Sequence, residues 1–279
     1  MSKLLVTGYA SLDYPVSLAG TVQPDKTTHI THRDPQAWPR TGGSPYYVAA
    51  AAARLDMEAQ PVTWVGKDEL AQKYLDDCDS AGISTSGVAQ LQGQRSPTCL
   101  MIHQGDGSTS CLFDPAFSGK EAITDSQREM IAKCENICIT VGPGHLVAEI
   151  LALVADDANL YWVTKNDERA FPSAACQQLA QNSLVIFCNQ RERSWIEAFN
   201  PSAQIIVETQ GAGGCKVITS GREEIVTATS VRTSDPTGAG DTFAGGFIET
   251  LCRTGDPMQA AKTGMDSARE LLEQRGIEG

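Results

Sequence analysis

Asp241 closes the run Asp235-Pro236-Thr237-Gly238-Ala239-Gly240-Asp241. Pro236 and the two glycines exclude a regular element at its start. The small and apolar residues that follow, Thr242 to Ile248, predict a helix reaching about Leu251. A glycine-rich turn feeding a helix N-terminus presents unpaired backbone N–H groups and a partial positive charge. That arrangement suits a phosphate or a developing oxyanion. Gly238 and Gly240 carry no Cβ, so the backbone can approach the anion closely. In the first turn, a carboxylate is useful to chemistry where it faces a proton to be removed. In isolation the same residues have a plainer use, in which the glycines turn the chain and Asp241 complements the helix dipole. No Gly-Lys-Ser/Thr follows the glycines, so the run is not a P-loop.

Other residues with chemical potential are spread along the chain. Lys3 to Val6 predicts a first strand that ends at Gly8, and Asp13 stands five residues on. Open α/β sheets make ligand contacts just past such strand ends, although a lone Asp there is also an ordinary turn residue. Gly42-Gly43-Ser44-Pro45 opens a helix rich in alanine, with Ser44 at the N-cap and Pro45 at the first helical position. Asn189-x-x-Glu192 follows the apolar strand Leu184 to Cys188, and the same spacing is that of a capping box. The strand Ile205 to Glu208 runs into Thr209-Gln210-Gly211-Ala212-Gly213-Gly214. Cys215 to Thr219 and Glu224 to Ala228 read as edge strands, and Pro257 to Gln274 as a last helix.

Short apolar strands alternate with amphipathic helices from Pro61 onward: Val62 to Val65, Glu69 to Ala81, Ile137 to Val141, His145 to Ala155 and Leu160 to Val163. That order implies a mostly parallel sheet covered on both faces. Residues 14–40 instead lack helical periodicity. Thr98 to His103 and Ser108 to Phe113 flank an Asp106-Gly107 turn and predict a hairpin.

The run from Asp235 to Asp241 resembles the signature of the PfkB/ribokinase family of carbohydrate kinases, Asp-Thr-x-Gly-Ala-Gly-Asp. The resemblance covers nearly the whole chain from Gly8. It implies one ribokinase-like α/β kinase domain over 1–279, a three-layer α/β/α fold with a mostly parallel central sheet. A small β-sheet lid is expected from segments at about 12–40 and 95–115. It implies Asp241 as the catalytic base, with Gly238, Ala239 and Gly240 as the anion hole. The helix N-terminus is expected to lower the pKa of Asp241 and leave it a weak base. By the same resemblance Asp13, Gly42 and Gly43 bind the acceptor. Many members carry Asn four residues after the second glycine; this chain has Tyr47 there, beside Tyr46, as a substrate contact or a packing residue. Asn189, Thr209, Gly211, Gly214 and Asp266 are expected to bind ATP. Glu192 is expected to hold Mg²⁺ through water, and the loop at Asp235 lies where some members bind K⁺.

The implied activity is transfer of the ATP γ-phosphate to a hydroxyl of a small sugar or sugar-like polyol. A nucleoside acceptor, with Tyr46 or Tyr47 as base platform, is the alternative. A non-catalytic nucleotide- or sugar-binding protein on the same fold is a third reading. Arg40, Lys165 and Arg169 are the candidate cations should the acceptor carry a phosphate.

Composition narrows the classes. The 279 residues are 41% hydrophobic, enough for a buried core, and the net charge is −12 with no Lys/Arg cluster. A nucleic-acid partner is therefore not expected. No apolar run suits a signal peptide or a membrane span, so a cytoplasmic protein, monomer or homodimer, is expected. The nine cysteines include no Cys-x-x-Cys and read as buried free thiols.

Overall fold

The computed structural model describes all residues except Met1, Asp34, Gln36, Ser118, Arg232, Ser234 and 277–279. The chain opens with β1 (Lys3–Thr7), β2 (Ser11–Leu18), β3 (Ile30–His32), β4 (Arg40–Gly42) and α1 (Ser44–Ala53). Next come β5 (Glu58–Val65), α2 (Glu69–Ser80), β6 (Val88–Gln90), β7 (Thr98–His103) and β8 (Thr109–Asp114). Helices and strands then alternate through α3 (Asp125–Lys133), β9 (Asn136–Ile139), α4 (Gly144–Leu153), β10 (Asn159–Val163), α5 (Ser173–Asn182), β11 (Val185–Asn189) and α6 (Gln190–Glu197). The chain ends with β12 (Ile205–Thr209), β13 (Cys215–Thr219), β14 (Arg222–Val226), α7 (Ala239–Thr254) and α8 (Pro257–Gly276). The periodicity reading did not single out α3 or α5, and α7 runs one turn beyond Leu251, to a left-handed Gly255 cap.

Nine strands form one sheet in the order β14-β13-β12-β11-β10-β9-β1-β5-β6. All its pairs are parallel except β12–β13 and β13–β14. Strand side chains point alternately to the two faces, and two cores follow. Leu4, Val6, Tyr161, Val185, Phe187 and Val207 pack with Phe243 and Phe247 of α7 and with α1 and α8. Leu5, Trp162, Ile186 and Ile206, from the alternate positions, pack on the other side with Ile131 of α3, Ile150 of α4 and Leu179 of α5. This is the expected three-layer α/β/α arrangement.

β2, β3, β4, β7 and β8 form a second, smaller sheet, ordered β3-β2-β7-β8 with β4 also on β2. The β7–β8 hairpin forms with His103 opposite Thr109. All nine cysteines are free; Cys111 is exposed, Cys252 half-buried and the others buried. Among the described residues no helix is long and apolar enough to cross a membrane.

Two close helix approaches fix where α7 starts. A Cβ on Gly245 would lie 2.3 Å from the Val48 carbonyl oxygen of α1, and one on Gly264 of α8 would lie 2.7 Å from that of Phe243. Larger residues at either place would push α7 away from its neighbours and move its N-terminus with it.

Candidate active site

The parallel strands deliver Val141, Val163, Thr164, Asn189 and Thr209 to their carboxyl ends. There they line a cavity of about 330 Å³ together with Gly238, Gly240 and Asp241. β9 and β10 extend the sheet on one side of β1, and β5 and β6 on the other. Beside such a reversal of strand order the carboxyl edge opens into a crevice. The smaller sheet closes the opposite wall with Asp13, Cys99, Met101, Cys111 and Phe113.

Asp241 stands in the first turn of α7, behind the left-handed Gly238 at φ 76°. Its carboxyl is pushed up to about 6 by burial, which outweighs the Ser44 hydroxyl and the more distant Lys165. This corrects the expectation of a lowered pKa. Loss of solvation disfavours the charged form, and the nearby Glu192 and Asp13 add to it. A base near 6 is ionised at neutral pH and better matched to proton removal than an ordinary aspartate.

Gly238 and Gly240 both face the cavity. A Cβ on Gly240 would meet no heavy atom within 4 Å, so the glycine leaves open space where an anion can approach the backbone. A Cβ on Gly238 would lie 2.6 Å from the Tyr47 ring, which packs beneath the turn. Ala239 differs from its neighbours: its N–H donates to the Pro236 carbonyl at 3.2 Å, and it does not line the cavity.

Asp13 is 3% exposed, and Ser11 Oγ donates to its Oδ1 at 2.6 Å. Burial raises its pKa against that hydrogen bond and the nearby Arg40. A Cβ on Gly42 would sit 2.1 Å from Asp13 Oδ2, so this glycine makes room for the carboxyl group rather than lining the cavity. Gly43 lines it at φ 88°, and a Cβ there would lie 2.4 Å from the Tyr9 carbonyl oxygen.

Asn189 and Glu192 form the capping box of α6. Asn189 Oδ1 accepts from the Glu192 N–H at 2.9 Å, and Glu192 Oε2 accepts from the Asn189 N–H at 3.1 Å. Both residues also line the cavity. Thr164, just past the end of β10, donates to Glu192 Oε2 at 3.0 Å and orients it. Among the described residues no group of three or more His, Cys, Asp or Glu converges to hold a metal alone. Oxygen donors in small number suit a hydrated magnesium ion that arrives on nucleotide phosphates.

The potassium expectation does not fit. Arg40 Nη1 donates to Asp235 Oδ2 at 2.6 Å, and His103 Nε2 lies 3.3 Å from Oδ1. The carbonyl oxygens of Asp235 and Thr237 both accept from Arg275 Nη1. The oxygens that would bind a monovalent cation already face guanidinium groups.

The remaining candidates lie at varied distances. Thr209 lines the cavity, whereas Gly211 and Gly214 lie beyond it. Gly214 is held at φ 102° where a Cβ would meet the Val226 carbonyl oxygen at 2.0 Å. Asp266 is exposed and pairs with Arg269 at 3.2 Å, outside the cavity. Tyr46 packs against Tyr74 and does not line the cavity either. Of the three candidate cations, Lys165 alone lines it. Sequence reasoning missed Tyr9, Cys99, Met101, Cys111 and Phe113. Their apolar character gave no chemical signal, although the hairpin that carries most of them was legible.

The family model for pfkB family carbohydrate kinases matches residues 1–278. A protein described as an uncharacterised sugar kinase, from Archaeoglobus fulgidus, is 23% identical over 80% of this chain and 95% of its own. An ATP-dependent ribose-1-phosphate kinase from Halopiger xanaduensis is 25% identical over 78% of this chain and 76% of its own. The crystal structure of a Methanocaldococcus jannaschii nucleoside kinase superposes with a TM-score of 0.81 at 16% identity, covering 98% of this chain and 92% of that one.

Proposed function

The chain belongs to the pfkB family of carbohydrate kinases, and we propose that it phosphorylates a neutral sugar or sugar-like polyol held between Asp13 and Asp241. The observation that carries this reading is one cavity lined by both carboxylates and by Gly238 and Gly240 at the start of α7. Asp13 and Ser11 bind hydroxyls of the acceptor. Asp241 accepts the proton of the attacking hydroxyl as the oxygen approaches the γ-phosphorus in line. The N–H groups of Gly238 and Gly240, with the α7 dipole, stabilise charge on the transferred phosphoryl oxygens. Asn189 and Glu192 hold magnesium through its water, and the ion neutralises the nucleotide phosphates when bound. Thr209 borders the nucleotide. The smaller sheet acts as a lid that excludes water, which would otherwise receive the phosphoryl group.

Charge selects the acceptor class. Asp13, Asp167, Glu192 and Asp241 line the cavity, and among the described residues Lys165 is the single Lys or Arg that lines it. A phosphorylated acceptor would meet four carboxyl groups and one ammonium, so a neutral acceptor is favoured. A nucleoside is the second reading. Tyr9 and Phe113, with ring centroids 5.0 Å apart, offer it an aromatic wall; Tyr47 also lines the cavity, whereas Tyr46 does not.

The test is ADP release from MgATP across a panel of sugars, polyols and nucleosides, with Asp241→Asn in parallel. Acceptor-dependent release that disappears in the variant is expected. ATP binding without release for any acceptor would instead favour a binding protein.

A further inference from the structure

The turn before α7 is held from outside the cavity by a side chain from the far end of the chain. Arg275, in the last turn of α8, is 12% exposed. Its Nη1 donates to the Thr237 carbonyl and, at 3.4 Å, to the Asp235 carbonyl. Its Nη2 donates to Tyr47 Oη at 3.0 Å, and the guanidinium stands 5.5 Å from the centre of that ring. Tyr47 in turn supports Gly238 from below. Asp235 is clamped by Arg40 on Oδ2, while its Oδ1 accepts from the Thr237 N–H at 3.0 Å.

The peptide geometry gives this clamp a consequence for the site. In a trans peptide unit the C=O and N–H point in opposite directions. Thr237 C=O and Gly238 N–H belong to one unit. Fixing the carbonyl on Arg275 therefore turns the Gly238 N–H away from Arg275, and Gly238 lines the cavity. A mobile monovalent cation could hold such carbonyls too, but here the positive charge is covalently part of the chain. Added potassium would have to sit against the Arg275 and Arg40 guanidinium groups.

We infer that Arg275 is a built-in cation that positions the anion-hole turn, and that this kinase therefore needs no added monovalent cation. The inference rests on the kinase reading for its effect on turnover, but its structural half can be read without turnover. The protein is compared in equal concentrations of potassium, sodium and tetramethylammonium chloride, by thermal unfolding and by calorimetric ATP binding, and then by turnover. Equal unfolding temperatures, ATP affinities and turnover in all three salts are expected. Potassium-specific stabilisation, or turnover that requires potassium, would overturn the inference.

Arg275→Gln and Arg275→Lys extend the test. Misaligning the N–H donors should lower kcat of the glutamine variant about 10²-fold, with the acceptor KM little changed. Partial return of kcat with added guanidinium, and higher kcat in the lysine variant, would mark loss of a positioned cation rather than of fold. Wild-type kcat in a folded Arg275→Gln protein would sink the proposal. Absence of turnover with every acceptor would count against the acceptor reading, while the salt comparison of unfolding and ATP binding would still decide the cation question.

Discussion

Asp235 and Asp241 bracket one short turn, yet their surroundings drive them in opposite directions. Burial alone would raise both. At Asp235 it is outweighed by the His103 ring nitrogen and by the Arg40 and Arg275 guanidinium groups, which hold the carboxyl far below the ordinary carboxylate range. At Asp241 no guanidinium is in contact among the described residues, burial prevails, and the carboxyl rises to about 6. One carboxylate is locked in its charged form as an anchor, and the other is left able to exchange a proton. Pairs of acidic groups pushed apart in this way separate structural from chemical roles.

The strongest way to break that comparison is to remove each carboxylate in turn. Asp241→Asn should lower kcat by about 10²–10⁴, the usual size of an acid–base contribution, with ATP affinity nearly unchanged by calorimetry. Near-normal turnover would remove Asp241 from the chemistry. Asp235→Ala should instead act first on stability. Among the described residues Arg40 Nε and Nη2 are already buried without partners, so loss of Asp235 leaves its charge poorly compensated. Breaking a buried ion pair from one side costs about 3–5 kcal/mol, and partial exposure of these groups puts the expected loss at the lower end. Chemical denaturation would measure it, and a loss below about 0.5 kcal/mol would make Asp235 dispensable as an anchor.

The pH dependence sharpens the contrast. Asp241 must be ionised to accept a proton, so kcat/KM should rise about tenfold per pH unit below 6 and level off above it. A flat profile from pH 5 to 8 would contradict a base of that pKa. Stability should move the other way. The pKa of Asp241 is raised on folding, so its stabilising contribution is present below the unfolded value, near 4, and is lost as pH rises through about 6. Asp241→Asn should therefore be more stable than the wild type at pH 8, by about 1–3 kcal/mol, and should lose that advantage near pH 4. For Asp235 the pKa is lowered on folding, so its contribution is present above the unfolded value and is lost only in strong acid. The smallest expected effect is at Gly42. There Gly42→Ala would crowd the Asp13 carboxyl group and raise the acceptor KM a fewfold, about 1 kcal/mol, without changing ATP affinity.

Local pattern made much of this molecule legible. The short apolar runs of β1, β10, β11 and β12, the Asp-Gly hairpin, the capping box at Asn189 and Glu192 and the turn before Asp241 are all written in adjacent residues. Each depends on spacings of a few positions, where backbone geometry and propensity decide. They were enough to indicate the three-layer fold and to list Asp13, Gly43, Asn189, Glu192, Thr209, Gly238, Gly240 and Asp241, which meet in one cavity.

What sequence pattern did not reach depends on neighbours far away in the chain. Asp241 looks like any aspartate at a helix start; only the surrounding layers supply the desolvation that reverses its pKa shift. Asp235 matched the family signature, but its partners Arg40, His103 and Arg275 arrive from β4, β7 and the end of α8. Asp266 was placed near the nucleotide by its position in the last helix, and the helix's rotation turns it outward to Arg269. The amino-acid order by itself determined the elements, the turn and the choice of candidate site residues, because those follow from local pattern and backbone chemistry. The tertiary structure alone decided which carboxylate is charged, which can accept a proton and which faces away, because burial and charge pairing depend on groups that folding brings together.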